Sequence, residues 1–385
     1  MTDVIIAGIG QTPVGEHWET SLRNLARQAI EQALDDARGL KPTALFAANV
    51  LAPNLSRQAH VGTLLTDFAG LNGIEAATFE AGGASGGTAL RQAYLAVKSG
   101  LVDVALVVGV EKFTDGIGSD VETATATLGD ADYESIHGLT PTVQAALLAQ
   151  RYHYEYDLPL DGLAGFALVA HAHGASNPNA MYRKAISLEA YQKAETVCDP
   201  LNLFDLAPYA DGAAALVLTR RELLPRNFDR PLTRIAASAS ASDTFALHDR
   251  SDPLEFRAVR LSVEEALRKA SLEREQIDLF EYFDAFSIYA ALSLEAAGFA
   301  RRGEGWKLAA TGQIGIKGRI PCATMGGLKA RGNPLGATGL YQAVEAVLQL
   351  RGEAGANQVA EARIAMIQSL AGPATLAVTH VLERL

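Results

Sequence analysis

The sequence predicts an α/β protein built from two similar halves. Three observations carry that prediction. Short apolar strands alternate with amphipathic helices along the chain. The order of elements in the first half returns in the second, and glycine-rich turns precede the most apolar helices. At 385 residues, 49% of them hydrophobic, the chain can bury a large core as two or three domains or as one large one.

The elements follow in order. Val4 to Gly8 reads as a short strand ending in glycine. Ser21 to Arg38 has helical spacing, with Leu22, Leu25, Ala26, Ala29, Ile30 and Leu34 on one face and Ser21 as N-cap. Ala44 to Leu51 is a second strand. Ser85 to Ser99 is an apolar helix closed by Gly100. Val102 to Val110 is the kind of strand buried on both faces. Lys112 to Asn202 breaks the rhythm with an acidic loop (Asp115 to Glu134), helices near Pro141 to Tyr154 and Leu163 to Ala175, and a turn at Asn177-Pro178. It reads as an insertion in the first half that shapes a substrate pocket. Asp211 to Leu218 returns to a strand. The second half then offers a strand at Ile235 to Ser240, a helix at Leu254 to Ala270 and a strand at Ile277 to Phe283. A helix at Gly336 to Leu350 and strands at Ile364 to Ser369 and Thr375 to Leu382 complete it. The expected division is residues 1–230 and 231–385, with the insertion at about 112–202.

A net charge of −11 argues against nucleic acid or an anionic membrane surface as partner. Cys198 and Cys322 cannot form a disulfide framework and indicate a reducing compartment. With no signal-like opening and no apolar run long enough to cross a bilayer, the expectation is a cytoplasmic protein without a membrane span. No ligand cluster points to a metal, and His171 and His173 read as a surface pair near a helix end.

Several motifs carry chemistry. They are Gly8 through Gly15, the turn Glu80-Ala81-Gly82-Gly83-Ala84-Ser85-Gly86-Gly87-Thr88-Ala89-Leu90, the strand Asp211 through Leu218, Phe283-Asp284-Ala285-Phe286, and the long run Gly326 through Gly339. Together they resemble the thiolase superfamily over essentially the whole chain, in particular the sterol carrier protein-x and archaeal types. The resemblance implies a thiolase fold of five layers, αβαβα, usually dimeric through the sheet of the nucleophile half.

The residues depart from that family at each catalytic position. A thiolase takes its acyl group on a cysteine thiolate; here the position is Gly83. The histidine of the long motif is replaced by Asn333, which donates hydrogen bonds but moves no proton at neutral pH. The histidine of the third motif is replaced by Phe283, and the second cysteine aligns with Ser369. What remains suits thioester binding. The N–H groups of Gly83 and Ala84 at a helix N-terminus, with side-chain donors at Asn333 and Ser369 and the Ala371 turn, would form an oxyanion hole. Glycine at 83 is expected to leave space for a bulky acyl group or a water.

Some cysteine-less members of the superfamily act as retro-aldolases on β-hydroxyacyl-CoA, including steroid side-chain thioesters. The resemblance therefore implies a C–C lyase, with Asp284, Tyr282, Tyr289, Tyr341 and Asn333 as candidate catalytic groups. A non-catalytic acyl-CoA or lipid-binding scaffold is the first alternative, and an acetyl-CoA acetyltransferase by overall similarity the second. Implied partners are the CoA thioester itself, a second copy of the chain and a separate OB-fold protein with a zinc ribbon. No permanently bound cofactor is implied.

Overall fold

The computed structural model describes residues 3–385. Nine strands form one mixed sheet: β1 (Val4–Gln11), β2 (Ala44–Ala48), β3 (Glu75–Phe79), β4 (Val104–Glu111), β5 (Gly212–Arg220), β6 (Thr233–Ser242), β7 (Leu279–Glu281), β8 (Ile364–Ala371) and β9 (Leu376–Arg384). Their order is β3-β2-β4-β5-β1-β6-β9-β8-β7. The seam between β1 and β6 is two residue pairs long, Ile5 with Arg234 and Ile6 with Thr233.

On either side of that seam the same topology repeats. In the first half β2 runs parallel to β4, which pairs antiparallel with β5, which pairs antiparallel with β1. In the second, β7 runs parallel to β8, which pairs antiparallel with β9, which pairs antiparallel with β6. The counterpart of edge strand β3 is a single parallel bridge between Phe280 and Cys322. The duplication read from the sequence is therefore present in the strand order.

The helices of eight or more residues are α1 (Leu22–Asp36), α2 (Val61–Phe68), α3 (Ser85–Ser99), α4 (Gly118–Ala126), α5 (Pro141–Tyr156), α6 (Ala164–Gly174), α7 (Arg257–Ala270), α8 (Ser287–Ala296) and α9 (Thr338–Arg351). Ser21 caps α1 by accepting from the Asn24 N–H, and α3 ends on Gly100 at φ +81°. α1 lies on the outer face of the first half, burying Leu25, Ala29 and Ile30 against Ala213, Ala215 and Val217. α7 and α8 cover the outer face of the second half through Val259, Val263, Ile288 and Leu292. α3 and α9 lie between the halves, sharing one core with Val107 and Leu216 on one side and Ile367 and Leu382 on the other. The five layers are thus α, β, α, β, α.

Differences from the sequence reading have physical causes. α8 and β3 went unread. Every position from Ser287 to Leu294 in α8 is buried, so no polar face marks its period. β3 is a short edge strand without the β-branched run that signals one. α2 also went unread, and the acidic loop holds α4.

The insertion leaves the sheet after β4 and returns before β5, and one carboxylate clasps both ends. Asp211 accepts from Lys112 Nζ at 2.7 Å, Phe113 N at 2.6 Å, Thr114 N at 2.9 Å, Thr114 Oγ1 at 2.6 Å and His17 N at 3.0 Å. Burial works to raise this carboxyl's pKa, but those donors outweigh it and hold it below the ordinary value. Its contribution to stability is complete at neutral pH and is lost only as the pH falls through that depressed pKa. Lys112→Met leaves the charge buried and is expected to cost ~3 kcal/mol and to shift acid unfolding to higher pH. Denaturant melts across pH measure both; a melt unchanged from wild type would refute the clasp.

Candidate functional site

A cavity of about 820 Å³ opens where the N-terminal turns of the two central helices meet. Gly83 reaches it from the turn before α3, and Asn333 and Leu335 from the turn before α9. The insertion supplies Leu128, Gln144, His171 and Tyr182, and α8 with its approach supplies Phe283, Phe286 and Tyr289. The insertion therefore forms one wall, as its place in the sequence predicts. Residues 203–209 run along the cavity. Ala207 N donates to Ala285 O at 2.8 Å and Asn333 N to Pro208 O at 2.9 Å. Leu206 bridges Phe286, and Tyr209 lies parallel to Asn333.

The space above Gly83 is filled. A β-carbon there would lie 2.5 Å from Phe283 Cζ and 2.5 Å from Leu370 O. The expected room for a bulky acyl group or water at this point is absent because the Phe283 ring occupies it. The turn also spends one expected donor, since Ala84 N bonds to Ala81 O at 3.0 Å. Among the described residues no hydrogen bond uses the Gly83 N–H. Asn333 is 3% exposed, and its Oδ1 accepts from Thr338 Oγ1 at 3.1 Å while its amide NH2 has no protein acceptor. Tyr289 is 1% exposed and packs edge-on against Phe256 and Phe286, and its hydroxyl has no partner. Burial holds that phenol well above its ordinary pKa against the charge of Arg250, so it stays protonated.

Gly83, Phe283, Asn333 and Tyr289 are thus brought together, and the remaining candidates are not. The Tyr341 hydroxyl donates to Thr12 O at 3.0 Å and lies 3.1 Å from Thr12 Oγ1, on the far side of α9. Tyr282 packs edge-on between Phe166 and Phe280. Asp284 is fully enclosed; its Oδ1 accepts from Leu328 N at 2.7 Å and fastens the turn Gly327–Arg331. Ser369 donates to Gln342 Oε1 at 3.2 Å, toward α9 and away from the cavity. Ala371 borders Gly82, but it is the next residue, Gly372, that lines the cavity. None of these five lines the cavity; hydrogen bonding or packing holds each in the core, with Asp284 Oδ2 left unpartnered.

Two cavity residues escaped the sequence reading. His171 is buried rather than on the surface, stacked on Tyr182 at 5.9 Å and edge-on to Phe204 at 5.6 Å, with Nδ1 unpartnered. Burial lowers its pKa, leaving it neutral near pH 7. His173 is also buried and pairs with Ala323 O at 3.0 Å. A signal was present: α6 is apolar around its circumference, and such helices are buried. The second is Lys329, 1% exposed. Its ammonium donates to Asp205 O at 2.6 Å and Phe204 O at 3.3 Å, and burial pushes its pKa down to about 8. Cys322 is buried with its thiol pKa pushed up, and no group of three or more metal-ligating side chains occurs among the described residues.

Comparison with known proteins matches residues 4–222 to the family description "Thiolase, N-terminal domain" and residues 239–384 to "Thiolase C-terminal domain-like". The chain belongs to the thiolase superfamily. Within it the likeness is to the sterol carrier protein 2 thiolase type. It is 39% identical, over 100% of both chains, to the acetyl-CoA acetyltransferase of Methanothermobacter thermautotrophicus. It is 30% identical to sterol carrier protein 2 of Bos taurus, over 94% of this chain and 69% of that one. A solved structure described as the Ltp2-ChsH2(DUF35) aldolase superposes with a TM-score of 0.85 at 26% identity, over 99% of this chain and 98% of that one. No helix among the described residues is long and apolar enough to cross a membrane.

In this thiolase-like site, Gly83 and Phe283 exclude each other's larger alternatives. Gly83→Cys alone is expected to destabilise the protein by ~1–3 kcal/mol through overpacking and to give a thiol that iodoacetamide alkylates slowly. Adding Phe283→Ala should remove the ring's share of that clash and expose the thiol, while the Leu370 carbonyl still crowds it. Equal alkylation rates in the single and double variants would show that the ring does not close the position.

Proposed function

We propose that this protein is a carbon–carbon lyase that cleaves a β-hydroxyacyl-CoA by a retro-aldol step. One observation carries the reading: the nucleophile position holds no side chain and its space is filled by Phe283, while unpartnered polar groups at Asn333 and Tyr289 remain on the cavity wall. A covalent acyl intermediate needs a nucleophile, and none is available there. A retro-aldol cleavage needs donors for the thioester oxygen and a route for one proton.

In this scheme the Gly83 N–H and the Asn333 amide hold the thioester oxygen. The β-hydroxyl proton leaves to the Tyr289 oxygen as the O–H electron pair becomes the new C=O bond. The Cα–Cβ bond breaks, and its electrons enter the thioester as an enolate. Tyr289 delivers its own proton to Cα in the same relay, so a free phenolate, which burial opposes, never accumulates. The products are a ketone or aldehyde and a shortened acyl-CoA. The thioester enters as substrate, and the scheme uses no resident cofactor.

The name of the aldolase with the related structure supports this reading, and its ChsH2(DUF35) component supports a separate partner protein of the OB-fold, zinc-ribbon kind here. Ile117, Tyr133 and Ile136 are exposed on the insertion and suit such a contact. A homodimer would form through the open edge at β3. The archaeal relatives named acetyl-CoA acetyltransferase favour acyl transfer as a second reading, and Gly83 weighs against it.

The test is cleavage of β-hydroxyacyl-CoA esters by the chain, alone and with a DUF35-type partner. Release of a ketone or aldehyde is expected; thiolysis of β-ketoacyl-CoA would overturn the reading. Tyr289→Phe should lower kcat at least ~100-fold while leaving thioester binding intact. Tyr341→Phe should cost ~1 kcal/mol of stability and leave turnover unchanged. Full turnover in Tyr289→Phe would remove the relay.

A further inference from the structure

Charge is distributed unevenly on the cavity wall. Arg183, Lys184 and Lys329 line it, with the neutral His171 beside them, and not one Asp or Glu does, in a chain of net charge −11. Arg183 and Lys184 are exposed. Lys329 is enclosed and has no carboxylate in ion-pair contact. The nearby Asp205 carboxylate is bonded by the Tyr191 hydroxyl at 2.9 Å and Asn202 N at 3.1 Å, and Asp284 takes Leu328 N on Oδ1 with Oδ2 unpartnered. Two of the three ammonium hydrogens go to neutral carbonyls, of Asp205 and Phe204. The His171 ring packs on the same Phe204 and keeps an unpartnered nitrogen.

This cationic corner lies away from the thioester site. Lys329 is fixed at Asp205 and Asn333 at Pro208, and the chain between them is extended at Leu206, where it pairs with Phe286. Three residues at ~3.3 Å each put ~10 Å between the two positions. An ammonium so placed cannot touch an oxygen held at Gly83 and Asn333. It would meet a group several carbons along the ligand.

We infer that Lys329, with His171, forms a subsite for a carboxylate on the acyl chain, so that the ligands of this cavity are thioesters of dicarboxylic acids. An enclosed ammonium without a carboxylate in contact gains a charge-assisted hydrogen bond when such a group arrives, which an alkyl chain cannot supply. The inference rests on the acyl-thioester part of the proposed function and not on the lyase step.

The test uses unreactive thioesters. Dissociation constants are measured by calorimetry for succinyl-, glutaryl-, adipoyl- and suberoyl-CoA, each against the alkyl acyl-CoA of equal length. At least one dicarboxylic member should bind ~10-fold or more tightly than its alkyl match. Lys329→Met should abolish that preference and leave alkyl binding within about twofold, and His171→Gln should reduce the preference. Equal binding of every pair by the wild type overturns the subsite whatever the variants do. An equal loss for both ligands in Lys329→Met would place the ammonium against the pantetheine arm and also overturn it. Failure of every thioester to bind would remove the acyl-CoA reading itself, whereas binding without cleavage would remove only the lyase step.

Discussion

Where α3 passes α9, Gly86 faces Gly339, and a β-carbon on Gly86 would lie 2.9 Å from the Gly339 N. Gly87 is held as tightly against Ser369, whose Oγ would lie 2.8 Å from an added β-carbon. Backbones this close leave no tolerance for larger residues, so the two central helices lock in one register. That register places the turn carrying Gly83 beside the turn carrying Asn333. The cavity exists at their meeting point because two halves of one duplicated fold present their helix N-termini to the same place. An alanine at this crossing would move the two turns apart before it disturbed either sheet.

The chemistry left at that place is a set of hydrogen-bond donors without a nucleophile. Phe283 and Gly83 form a single packing unit, and Asn333 keeps one amide face free because Thr338 holds the other. The insertion adds the opposite wall, and the Asp211 clasp fixes where that wall starts and ends. Shape at the cavity therefore depends on a buried ion pair whose residues do not line it.

Much of the fold was legible because its signals are local. Ser21 and Gly100 mark helix ends by capping chemistry, and the strand Val104–Glu111 is apolar on both faces. α8 was not legible, since a fully buried helix shows no polar period. The cavity lining was legible where motif positions coincide with it, at Gly83, Phe283 and Asn333, together with Tyr289. It was illegible where the decision is tertiary. Tyr341 and Tyr289 are both buried tyrosines, and only the presence of Thr12 beside one and of nothing beside the other separates a core hydroxyl from a free one. His171 was misplaced for a related reason: charge scales put histidine outside, while the apolar surroundings in α6 put it inside.

The Gly83–Phe283 unit also bears on descent. A cysteine cannot return at 83 while the ring stands over it, and removing the ring alone opens a void in a site that has no thiol to use it. Change at these two positions is therefore coupled: a larger residue at 83 needs both the ring and the Leu370 carbonyl to give way.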